Sequence, residues 1–213
     1  MGIVALQAEC GQGAALIVLA EHGVDEESVA PLIQPLSQRF RVLRIVAPRV
    51  GEKNWDAITE SVVELMNVMG IRQASFVGVA HAGSVVQHFA LLHLKRVRRI
   101  VLVNGRTRPH PTWCTRAIDW IESRLPLGLP LRTPRGSFDS KSFLHQIRCP
   151  CLIVLTADAG AELVSQGELL AAHLPTAWLV RLEPGQGASR LAELIDEFQD
   201  VAAKKPRKNI GNG

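Results

Sequence analysis

The chain has 213 residues, 47% of them hydrophobic and 21% charged, and a formal net charge of +4. That length holds one well-buried domain and not two comfortable ones, with the balance of an ordinary globular protein. No apolar run approaches the ~18 residues that span a bilayer, and residues 1–6 carry no basic leader, so the expectation is a cytoplasmic protein without a membrane span.

Taken in chain order, strand-like and helix-like segments alternate. Leu16–Ala20 is a continuous apolar run, the pattern of a strand buried on both faces. Phe40–Ala47 is a second strand, rich in β-branched residues. Trp55, Ile58, Val62, Leu65, Met66 and Met69 then recur at helical spacing, and Gly70 supplies the stop. Ala74–Val79 reads as a strand, Gly83–Leu94 as a helix and Ile100–Asn104 as a strand.

A break follows over about 106–146, with five prolines and no sustained periodicity. Trp113 and Trp120, seven residues apart, fit one face of a short cap helix. After the break come a strand at Cys151–Thr156, a helix at Ala161–Leu174, a strand at Ala177–Leu182 and a helix at Ser189–Ala203. Alternation of this kind predicts an α/β domain over 1–203, with a mostly parallel central sheet and helices on both faces.

The charge excess sits at the end. Without Lys204, Lys205, Arg207 and Lys208, 20 basic residues face 20 acidic ones. The tail 204–213 therefore reads as a solvated end, and nucleic acid is disfavoured as a partner, because counterion release needs several phosphate contacts. Cys10, Cys114, Cys149 and Cys151 form neither a disulfide framework nor a zinc knuckle, and are expected as buried, reduced thiols. No phosphate loop or dinucleotide fingerprint is present, so no cofactor or metal is expected.

The segment from Ser75 to Ala90, with Gly78-Val79-Ala80-His81-Ala82 at its turn, resembles the strand–elbow–helix of α/β-hydrolases. Gly11–Leu19 resembles that family's first long strand, Ala30–Ile33 the helix after it, and Arg96–Asn104 the strand after the elbow. Pro150–Leu155 and Leu182–Gly187 resemble the strands and turns that carry the acid and the histidine. The similarity covers about 11–203 and implies the α/β-hydrolase fold, with 106–146 as a short cap.

Such hydrolases use a nucleophile on the elbow, a histidine that takes its proton, a carboxylate that orients the histidine, and backbone N–H groups for the oxyanion. Carried over residue by residue, the nucleophile falls on Ala80, the acid on Ala159 and the histidine on Ala188. The His-Gly pair near the oxyanion hole falls on Ala20 and Glu21. None of the three triad positions retains its chemistry. His22-Gly23 is a literal His-Gly two residues later, and one residue of register separates Ala159 from Asp158.

His81, Asp158 and Ser189 each stand beside an emptied position. Ser189 reads as an N-cap of the last helix, and Ser84 as a packing group in the elbow helix. His22, His81, Ser84, Asp158, Ser189 and Trp113 are the candidates for a residual pocket. Two functions follow from this pattern. One is a non-catalytic pseudo-hydrolase, a scaffold or binding module for a small apolar ligand or a protein partner. The other is an active esterase-like hydrolase or lyase that uses unconventional groups, His81 and Asp158. Alanine at the emptied positions is also what deliberate inactivation leaves, but Glu21 and Ala82 argue for natural divergence.

Overall fold

The computed structural model describes residues 4–21, 26–48, 55–107 and 140–200; within them the side chains of 26–28 are left undescribed. Its strands are β1 (Ala5–Cys10), β2 (Ala14–Glu21), β3 (Phe40–Ala47), β4 (Ala74–Val79), β5 (Val97–Val103), β6 (Cys151–Leu155) and β7 (Ala177–Arg181). The helices are α1 (Glu26–Ser37), α2 (Trp55–Val68), α3 (Ala82–Leu92), α4 (Ala161–His173) and α5 (Ala188–Asp200).

These strands form one sheet in the order β1-β3-β2-β4-β5-β6-β7. All neighbours are parallel except β1, which runs antiparallel to β3. Successive side chains of a strand point to opposite faces, and both faces are covered. Ile17 and Leu19 of β2 pack with α2 and α3 in one cluster. Leu16, Val18 and Ala20 pack with α1 and α5 in the other. Each large side chain so buried contributes about 1.5–3 kcal/mol of apolar transfer free energy.

The predicted elements are present with small shifts of boundary. Gly70 ends α2 in the left-handed region at φ +68, which a glycine adopts without a side-chain penalty. The strand β1 was not anticipated. It lies at the sheet's edge and is largely exposed, so it carries little apolar signal. Cys10 lies on it and is exposed, against the expectation of a buried thiol, whereas Cys149 and Cys151 are buried. The expected cap and tail fall largely outside the described residues, as do Cys114 and Trp120. No helix among the described residues is long and apolar enough to cross a membrane.

Candidate functional site

In an open parallel sheet, ligands gather where the strands end at their carboxyl side. Register aligns those ends here. Leu19 of β2 pairs with Gly78 of β4, Val79 with Val103 of β5, and Val103 with Val154 of β6. Glu21, Ala80, Asn104 and Thr156 therefore follow on one edge of the sheet.

The turn from β4 into α3 is the sharpest feature of that edge. Ala80 has φ +46, a conformation that costs an L-residue roughly 1–2 kcal/mol. The surroundings impose it. The Ala80 N–H donates to Val103 O at 2.8 Å, and the N–H groups of Gly83 and Ser84 return to Ala80 O and His81 O at 3.2 and 3.0 Å. Behind the turn, β4 and α3 are in close contact. A Cβ on Gly78 would stand 2.7 Å from Gly83 Cα and 3.0 Å from Gly83 N. Glycine at 78 is thus required by proximity.

His81 is the N-cap residue of α3 and is half-buried beside Ala80. Ser84 is buried, and its hydroxyl donates to Arg106 O at 3.3 Å, which makes it a tie between α3 and the segment after β5. Ala20 is fully buried and faces the α1–α5 side. Glu21, one residue on, is a buried carboxylate with 6% of its surface exposed.

The position to which the resemblance assigned the acid lies in the loop after β6. Ala159 is half-buried and its N–H donates to Thr156 O at 3.0 Å. Asp158 is exposed, and the neighbouring Thr156 hydroxyl holds its carboxyl below the usual carboxylate range. Thr156 is itself tied to Asn104. The Asn104 side-chain amide donates to Thr156 Oγ1 at 2.8 Å and accepts from the Thr156 N–H at 3.1 Å. Asn104 is the second non-glycine residue with positive φ, at +51. Sequence reasoning missed this clasp; the only local signal is an asparagine closing an apolar strand.

After β7, Ala188 opens α5 and packs against the α1–α5 cluster. Ser189 is exposed in the helix's first turn and is not its N-cap. That place goes to Gly187, whose carbonyl accepts the Leu191 N–H at 3.2 Å. His22 and Trp113 lie outside the described residues.

A second polar cluster, also unanticipated, closes the base of the 108–139 segment. The Ser140 N–H donates to Thr107 O at 3.1 Å, and the Ser140 hydroxyl donates to Gln87 Oε1 at 2.5 Å. Gln87 Nε2 donates to Arg106 O at 2.9 Å, and Thr107 Oγ1 to Gln166 Oε1 at 2.9 Å. The segment thus leaves and returns at one point, anchored to α3 and α4. Among the described residues, no three His, Cys, Asp or Glu side chains group to hold a metal ion.

No protein-family profile matches the chain. Among curated proteins it is similar to RutD of a Caulobacter species, named as a carbamate hydrolase, at 28% identity over 70% of this chain and 75% of that protein. It is also similar to the bifunctional epoxide hydrolase 2 of Rattus norvegicus, at 34% identity over 47% of this chain but only 20% of the rat protein. Among solved structures, the enol-lactonase of Burkholderia xenovorans superimposes with a TM-score of 0.70 at 23% identity, covering 92% of this chain and 96% of that one.

These relatives overturn the expectation of a non-catalytic pseudoenzyme serving as a scaffold or binding module. The proteins that resemble the chain are named for hydrolysis. The elbow gives a physical reason to side with them: a strained backbone persists where surrounding structure over-determines it, and such strain clusters at active sites. Ala80, Ala159 and Ala188 carry no ionisable side chain, yet the turn at Ala80 keeps its φ of +46.

Proposed function

We propose that this chain, which has the α/β-hydrolase fold, is a hydrolase of activated acyl bonds in which water attacks directly. Esters, lactones and carbamates are the substrate classes that the relatives' names suggest. The observation that carries this reading is the turn at Ala80, still held at φ +46 by its bond to Val103 O. That turn presents the start of α3 to the sheet's edge. Backbone N–H groups at a helix start favour a developing oxyanion.

A methyl group at position 80 offers no nucleophile, so no acyl-enzyme forms there. In the proposed reaction the water oxygen bonds to the acyl carbon while the water's proton passes to a base at this edge of the sheet. His81, half-buried at that turn, is the group assigned to proton transfer. The tetrahedral oxyanion collapses, the bond to the leaving oxygen or nitrogen breaks, and the His81 imidazolium gives that atom a proton. The products are an acid and an alcohol or amine. Asp158, kept ionised by Thr156, contributes a fixed negative charge on the same edge. In this reading 1–203 form one domain, with 106–146 as its short cap insertion.

The test is turnover of a panel of short and medium esters, lactones and carbamates by the purified protein and its His81→Ala variant. The variant is expected to lose about 100-fold or more in kcat/KM, the lower range of general acid–base catalysis. Inertness of the wild-type protein across the whole panel would sink the hydrolase reading. Undiminished turnover by the variant would remove His81 from it.

A further inference from the structure

We infer that Glu21 is the base that activates the attacking water, taking over the work of the nucleophile that Ala80 lacks. The inference rests on the hydrolase reading and divides its proton transfers between two residues. Glu21 accepts the proton of the attacking water, and His81 serves the leaving group.

Three observations place Glu21 in that role. First, among the described residues it is the sole acidic side chain that is buried. Taking a carboxylate out of water costs several kcal/mol unless the site compensates, and carboxylates kept in such places cluster at functional sites. Second, its position is fixed by the sheet. Glu21 pairs with Ala47 of β3 and lies two residues beyond Leu19, which pairs with Gly78, so it is level with Ala80 on the neighbouring strand. Third, side chains alternate along β2, and Ile17 and Leu19 lie in the cluster that includes Ala82, Val85 and Val86 of α3. Glu21 continues that face, at the end of the sheet where α3 begins.

Glu21 has an interaction partner of its own. Burial limits the orientations open to its side chain, and a base needs a defined orientation to meet a bound water. The step balances without any added reagent. The water oxygen bonds to the acyl carbon, its proton goes to the Glu21 carboxylate, and the carbonyl electron pair moves to oxygen. As the intermediate collapses, His81 protonates the departing group, and proton exchange with solvent resets both side chains.

The experiment compares the wild type with Glu21→Gln and Glu21→Asp, using a substrate that the ester, lactone and carbamate panel has identified, and follows kcat/KM against pH. Glu21→Gln is expected to lose about 100-fold to 10,000-fold in kcat/KM. The acidic limb of the wild-type profile should disappear with it. Glu21→Asp, which keeps a carboxylate one methylene shorter, should retain part of the activity and the limb. Glu21→Ala should regain activity with added formate, which a merely structural glutamate would not allow. A Glu21→Gln protein within about threefold of wild type, with the same pH profile, would overturn the inference and leave the hydrolase reading standing. If Glu21→Gln does not fold, the aspartate variant decides: a fully active Glu21→Asp with an unshifted limb overturns the inference, and a partial loss with a shifted limb supports it. A wild type inert on every substrate would take down both readings together.

Discussion

The turn after β4 and the turns after β6 and β7 lie on the same edge of the sheet but are packed quite differently. At Gly78 an added Cβ would meet the backbone of Gly83 at 2.7 Å, whereas at Gly160, Gly185 and Gly187 it would meet nothing within 4 Å. The elbow is a backbone-to-backbone contact, and its geometry does not depend on which side chain occupies position 80. The turns that carry Ala159 and Ala188 are open. An added methyl group at Gly160, Gly185 or Gly187 would displace nothing. The strained elbow is therefore part of how β4 joins α3, while the glycines of the two later turns are free of such a constraint.

The largest effect should follow from breaking the tight member of the pair. Gly78→Ala forces Gly83 away from β4: besides Val86 Cγ2 at 2.9 Å, the colliding atoms are Gly83 backbone, which cannot turn aside. Overpacking of this kind is expected to cost about 3 kcal/mol. In a chain of this size that is roughly 6–12 °C in melting temperature. Thermal unfolding followed by circular dichroism measures it. A variant that melts with the wild type would mean that the close approach is not what holds the elbow.

The same contrast explains what the residues alone disclosed. Apolar runs and helical spacing marked β2 to β7 and most helices, because buried parallel strands and amphipathic helices write their environment into local sequence. The edge strand β1 escaped because its pairing with β3 is tertiary and its side chains are mostly exposed. The elbow was legible in Gly78-Val79-Ala80-His81-Ala82, since its tight turn demands small residues at fixed offsets. The Asn104–Thr156 clasp joins residues 52 apart, and no local pattern announces it. Glu21 stood out only at the His-Gly position; its burial comes from tertiary packing that no local pattern announces. Function was misjudged on the same ground. Alanines at 80, 159 and 188 suggested a scaffold, whereas the relatives are named for hydrolysis.

A smaller effect should appear in α3, the helix that carries the elbow. His88 lies between α3 and α2, 3.5 Å from Asp56 and 5.8 Å between ring centroids from Trp55. Burial lowers its pKa from the usual 6.5, with the neighbouring His93 acting in the same direction and Asp56 opposing both. A histidine with a lowered folded pKa binds protons more readily in the unfolded chain. Its contribution to stability is therefore complete above about pH 6.5 and is lost as pH falls toward the folded value. Lowering pH from 7.5 to 5.5 should reduce the melting temperature by roughly 2–4 °C more in the wild type than in His88→Gln. Equal slopes for the two proteins would show that His88 does not couple the elbow helix to pH.

The smallest effects belong to the open turns. Gly160 precedes α4 at φ −65 and ψ 164, a conformation that any residue adopts, and Gly187 precedes α5. Neither position has a neighbour for an added methyl group. Alanine at either site restricts the unfolded chain, which stabilises by about 0.4–1 kcal/mol. It also makes a poorer first residue for the helix than glycine, which takes back a similar amount. Gly160→Ala and Gly187→Ala should therefore each stay within about 0.5 kcal/mol of wild type in denaturant unfolding. The pair is more informative than either variant alone. Two neutral results beside a collapsed Gly78→Ala would locate the edge's rigidity at the elbow. A loss above about 1 kcal/mol at Gly187 would mean that the turn before Ala188 is packed after all, and that the histidine's place was emptied from a structured site.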